Sequence, residues 1–260
     1  MLGLIPVSDA NPTRRRPYVT LLLIAVNVVA FFQTPGLGQT AASQEYFFEN
    51  APVPCQLEAS CVFEGRPVPT EIIPPRGIGS FLLAILASTF LHAGFLHIIG
   101  NMLFLWVFGN NVEDFLGHGK FLGFYLLGGI AAAFAHILTH TGSIAPIVGA
   151  SGAVAAVMGA YFVLYPRARV NVLIIFAFIT IVQMSAWVVL ALWFLLQFFI
   201  GRFELLGVDN VTSVAWLAHV GGFVFGVVAI YLLGGRPHKY GWTPETHWGR
   251  RSTWGRSGWR

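Results

Sequence analysis

The chain has 260 residues, 56% of them hydrophobic and only 10% charged, with a net charge of +4. A mean hydropathy of +0.70 takes it out of the water-soluble range and into that of membrane proteins. The positive balance is read as membrane topology and contact with anionic headgroups, not as a nucleic-acid surface, and no nucleic-acid partner is expected.

Apolar runs lie at 17–33, 81–108, 121–138, 148–165, 170–200 and 214–233, most of them near the ~20 residues that a spanning helix needs. The second and fifth are too long for one straight span, so the spanning parts are placed near 94–108 and 181–200. The expectation is an all-α membrane protein with six transmembrane helices in residues 17–234, after an N-terminal segment at 1–16. Six spans put both termini on one side. Twelve of the 15 Lys and Arg fall on that side, among them Arg14, Arg15, Arg16, Lys120, Arg167 and Arg169, which makes it cytoplasmic by the positive-inside rule. Three arginines before an apolar run also suit a secretory signal. No small-residue cleavage site follows it, so the first run is read as an uncleaved helix.

The first outer loop, about 34–80, is too long for a simple connection and is expected to carry local structure or a functional element. Cys55 and Cys61 lie in it, on the oxidising side; a disulfide between them is possible, but two cysteines alone do not decide it. At the other end, the tail 235–260 is basic, Gly-rich and marked by tryptophans. It is expected to lie disordered on the inner headgroups.

Polar residues inside spans are costly and mark function unless packing explains them. In "GASGAVAAVMGA" (149–160), Gly152, Ala156 and Ala160 recur every fourth residue, a close-packing pattern in which a serine needs no further role. His219 in "AWLAHVGGFVFG" (215–226) fits equally well as a core histidine beside Gly222 and Gly226. His97 and Asn101 are four apart and share a helix face, whereas His92, five before His97, points elsewhere. Topology separates these readings. The second, fourth and sixth spans run the same way, and His97, Asn101, Ser151 and His219 all fall within the first two turns of their spans. Packing accidents do not explain a shared depth. Together they would form a polar pocket open to the outside, in which His219 takes the proton of Ser151. Gly149, Ala150 and Gly152 would leave that hydroxyl open, while the Ser151 amide at a helix N-terminus and Asn101 would donate to an oxyanion.

"FLHAGFLHIIGNMLFLWVFGNNVED", "GASGA" and "AHVGG" resemble, in order and placement, the motifs of the rhomboid family of intramembrane serine proteases. The resemblance covers about 88–226. It implies a six-helix rhomboid-like bundle with a long first outer loop, and peptide-bond hydrolysis by a Ser–His dyad with no carboxylate third member and no cofactor. By motif position Ser151 would be the nucleophile and His219 the general base. Asn101, His97 and the Ser151 amide would form the oxyanion hole, with His92, Gly149 and Gly152 supporting. Substrates would be single-pass transmembrane proteins cut near the outer boundary of the bilayer, and the setting a bacterial inner membrane. One departure is the first outer loop, which lacks the Trp-Arg pair frequent in bacterial members.

Other mechanisms fit less well. No H-E-x-x-H is present, and His136 and His140 have no nearby carboxylate ligand, so no metal is expected. No pair of aspartates lies within the spans for an aspartyl mechanism. A non-catalytic helix-binding relative would lack the serine or the histidine. A proton-relay transporter would place its polar groups nearer the midplane, with an acidic partner. Glu113 and Asp114 are read as structural, pairing with basic groups or capping.

Overall fold

The structure, a computed structural model, describes residues 3–58, 61–175, 179–205 and 215–237. Strand β1 (Gly3–Asp9) leads into helix α1 (Tyr18–Gln33). The turn of α1 after Pro17 is capped from another helix: the Glu113 carboxylate accepts from the Val19 and Thr20 amides at 2.9 and 2.8 Å and from the Thr20 hydroxyl at 2.6 Å. These donors have no acceptor inside α1, so a buried anion at the positive end of the helix dipole satisfies both needs. Asp114 accepts from the amides of Arg14 and Arg15. Glu113 thus caps α1, and Asp114 ties down the segment that leads into it.

Region 34–94 is built, not slack. Helix α2 (Ala41–Asn50) opens with a capping box between Thr40 and Ser43, and a short hairpin pairs β2 (Val62–Phe63) with β3 (Arg66–Pro67). Cys55 and Cys61 are disulfide-bonded, their Cα atoms 5.1 Å apart. Helix α3 (Ile78–Ser88) follows. It accounts for the first eight residues of the long 81–108 run, and it buries Phe81 and Ile85 against Ala133 and Ile137.

Helix α4 (Phe95–Leu116) starts where the second span was expected but continues eight residues past Phe108. The polar run at its end does not stop it, because Asn111 and Glu113 are about 1% exposed and bonded inside the protein. Helix α5 (His118–Ile137) comes next, then α6 (Ser151–Leu164). Every residue of α6 except Ser151 and Phe162 is buried, and it packs against α4, α5 and α8 (Trp216–Leu232). Small residues set the spacing. A Cβ on Gly222 would lie 2.2 Å from the Gly152 carbonyl oxygen, and one on Gly226 would lie 2.0 Å from that of Ala156. The backbones of α6 and α8 thus touch directly.

The all-α expectation needs one correction. The first half of the 170–200 run is a β-hairpin, β4 (Arg169–Ile175) and β5 (Ile179–Ser185), and helix α7 starts only at Ala186 (Ala186–Leu205). β1 joins β4, giving an antiparallel sheet in the order β1-β4-β5. The N-terminal segment is therefore not a free flank. The sheet is fastened to the ends of α4 and α6 through Asp9, whose carboxylate accepts from the Tyr161 hydroxyl at 2.6 Å and the Asn111 amide at 2.8 Å.

α4 and α5 are long and apolar enough to cross a membrane, and α1, α3, α6, α8 and the 186–197 part of α7 are shorter apolar helices. Leu22 and Phe32 on α1, Leu96 on α4, Leu196 and Phe199 on α7 and Val228 on α8 are exposed. So broad an apolar exterior suits a lipid environment. The tail beyond 237 lies outside the described residues, as does position 214.

Candidate active site

Three helix N-termini meet at one end of the bundle. Ser151 is the first residue of α6, His219 lies in the first turn of α8, and His97 and Asn101 lie in the first two turns of α4. They line one cavity of about 840 Å³, together with His136 and Trp193. Its decisive contact is between helices: His219 Nε2 stands 2.7 Å from Ser151 Oγ. The direct α6–α8 backbone packing brings these side chains together, because bulkier residues at 222 or 226 would push the helices apart.

Donors line the same cavity as the hydroxyl. The Ser151 N–H is a first-turn amide without an acceptor inside its helix. Asn101 is 8% exposed, and its side-chain Nδ2 has no partner among the described residues, so it is free to donate to an incoming oxygen. His97 accepts at Nδ1 from the Ala93 amide over a long 3.4 Å, which leaves the proton of a neutral ring on Nε2. That Nε2 faces Gly149, where a Cβ would lie 2.8 Å from it and 3.5 Å from Ser151 Oγ. With φ at +130°, Gly149 is also in a conformation that L side chains rarely adopt. Glycine here keeps open the space between the hydroxyl and His97.

Gly152 is different. It was expected to give clearance to a substrate, but its Cβ position is 2.5 Å from the Ala132 Cβ of α5, so its role is helix packing. His92 is fully buried behind His97, the two rings 5.1 Å apart and edge to face. It packs the ring of a site residue without lining the cavity. His136 faces the cavity and stacks on His140, with ring centroids 4.6 Å apart; among the described residues no group of three His, Cys, Asp or Glu is arranged to hold a metal ion.

One residue at the site was overlooked in the sequence. Gln197 of α7 is 5% exposed and places Oε1 2.7 Å from His219 Nδ1. The signal was present, since it is a lone polar residue in the apolar "WFLLQFF" and intramembrane polar groups mark function by default.

The family model described as the Rhomboid domain matches residues 81–236, more than half of the chain and a stretch that includes His97, Asn101, Ser151, Gln197 and His219. The chain belongs to the rhomboid family. This rhomboid is 33% identical over 95 residues to the presenilin-associated rhomboid-like protein A, mitochondrial, of Danio rerio, a stretch covering 36% of the chain and 25% of that protein. It is 34% identical over 110 residues to the Rhomboid protein 1, mitochondrial, of Saccharomyces cerevisiae, covering 41% and 30%. With the RHOMBOID-like protein 4 of Arabidopsis thaliana the identity is 31% over 162 residues, covering 61% and 35%. The matched stretches span a quarter to about a third of these relatives. Rhomboids are in general integral membrane proteins and intramembrane serine proteases, and the apolar exterior and the cavity are in keeping with that membership.

Proposed function

We propose that this rhomboid is an intramembrane serine endopeptidase with Ser151 as nucleophile and His219 as general base. The observation that carries the reading is the 2.7 Å contact between His219 Nε2 and Ser151 Oγ, in a cavity also lined by Asn101, whose Nδ2 has no partner among the described residues. The Ser151 proton passes to His219 Nε2 while Oγ attacks the scissile carbonyl carbon. The resulting oxyanion receives hydrogen bonds from the Ser151 amide, Asn101 Nδ2 and His97 Nε2. As the C–N bond breaks, His219 returns the proton to the leaving amine; water then hydrolyses the acyl-enzyme by the same proton route.

The substrates are single-pass membrane proteins cut near the membrane boundary. Supporting this are the position of the site at the helix N-termini, close to one end of the bundle, and the small residues that leave room for an extended backbone. α1, α4, α5, α6, α7 and α8 are assigned as the six spans of a 17–234 domain. Both termini are placed on the cytoplasmic side of a bacterial inner membrane, the topological part resting on the clustering of basic residues.

Labelling by a serine-directed fluorophosphonate tests this without a known substrate. Purified wild-type protein is expected to be labelled and Ser151→Ala not. Equal labelling of both, or cleavage of a model transmembrane substrate by Ser151→Ala in a protease-free preparation, would overturn the dyad.

A further inference from the structure

We propose that Gln197 is a positioning residue that holds His219 in the tautomer able to act as base, making the working unit a Ser151–His219–Gln197 relay across three helices. This deepens the hydrolase reading above and rests on it.

The chemistry follows from which atoms meet. Gln197 Oε1 is an amide oxygen with lone pairs only, and it stands 2.7 Å from His219 Nδ1. A bond there requires the hydrogen on Nδ1. A neutral imidazole carries one N–H, so Nε2, 2.7 Å from Ser151 Oγ, keeps its lone pair for the serine proton. The opposite tautomer would present N–H to the hydroxyl and leave Ser151 without a base. When His219 becomes imidazolium, Nδ1–H still points at the same oxygen, so the charged ring keeps its acceptor and its orientation. A buried carboxylate would do this more strongly, but it is costly inside a span; a neutral amide orients without that cost.

Two further observations fix the geometry. Trp193, one turn before Gln197 on α7, sets its ring 5.8 Å from that of His219 at an interplanar angle of 43°. The same face of α7 therefore supplies both a wall and an acceptor for the imidazole. Gln197 is also nearly fully buried, so its side-chain oxygen is largely shielded from water. The pair depends on α7 staying against α8, which places proton transfer under the control of a helix that carries neither the nucleophile nor the base.

The test combines kinetics with a tautomer measurement on full-length protein in detergent, using a model transmembrane substrate. Gln197→Leu is expected to lower kcat by about 10- to 100-fold with KM within about twofold, because only proton transfer is impaired. Gln197→Glu, which retains an oxygen acceptor, is expected to recover at least part of that loss. Its acid limb should move to higher pH, since an anion beside the ring favours imidazolium. In the wild type, 15N spectra of labelled histidine are expected to show His219 protonated at Nδ1, with Nε2 unprotonated. Wild-type kcat in Gln197→Leu, or a wild-type His219 protonated at Nε2, would overturn the proposal. The spectrum needs no variant, so it decides the matter even where Gln197→Leu fails to fold. Failure of the hydrolase reading is seen separately, as fluorophosphonate labelling or cleavage that survives Ser151→Ala.

Discussion

Asn101 is the single residue on which the proposed oxyanion hole is most directly tested. It is buried on α4, yet its Nδ2 meets no acceptor among the described residues, a costly arrangement unless an oxygen arrives during function. Asn101→Ala is therefore expected to leave the fold intact and to lower kcat about 10²- to 10³-fold, the usual loss for one oxyanion donor. Steady-state kinetics beside a thermal melt checks this, and unchanged kcat would remove Asn101 from the oxyanion hole. At this scale the sequence was legible where a polar residue broke an apolar run at a shared depth, as for Ser151, His219 and Asn101. Gln197 obeyed the same rule and was overlooked, since it lies near the end of its expected span, 181–200, while the shared depth was sought only at the starts of the second, fourth and sixth. Gly152 misled in the other direction. Its spacing with Ala156 and Ala160 suited packing and its place beside Ser151 suited substrate clearance, and the 2.5 Å approach of its Cβ position to Ala132 decides for packing.

At the level of elements, the sheet is the main departure from the expected helices. The segments RVNVLII and ITIVQMS are mostly apolar and rich in β-branched residues, and over so short a stretch they were not separated from the apolar helix that follows them. What decides is the partner strand, β1, more than 150 residues away in sequence, with Gly3 opposite Ile175. Its anchor is sensitive to pH. Burial raises the pKa of Asp9 from 3.8 to about 6, against the hydrogen bonds from Tyr161 and Asn111 that lower it. Because the docked state binds the proton more tightly than the free strand, docking is strongest below about pH 4 and weakens as pH rises through about 6. Amide exchange along Gly3–Asp9 is accordingly expected to be slower at pH 5 than at pH 7.5, after correction for intrinsic rates. Asp9→Asn, which keeps an oxygen acceptor without a charge, should flatten that difference; an unchanged pH dependence would show that Asp9 is not its source.

For the whole molecule, the orientation proposed from the distribution of basic residues is open to direct measurement. Both native cysteines are in the disulfide, so an added cysteine is the one free thiol. Pro12→Cys is expected to react with a membrane-impermeant maleimide only from the cytoplasmic side, and Glu71→Cys only from the opposite side. Labelling of both from the same side would overturn the topology proposed here. The two reporters lie on either side of α1, so the comparison tests that helix as a span.

By itself the sequence determined the membrane setting, the family and the polar residues gathered at helix starts. These are properties of composition and short-range spacing, which hydropathy and helical period express directly. Tertiary structure decided the rest: the strand pairing of the N-terminal segment, the capping of α1 by Glu113, the packing role of Gly152 and the contact of Gln197 with His219. Each of these joins residues far apart along the chain through a distance of a few ångströms. A local pattern records that a residue is polar or small; which atom it meets depends on how the elements pack.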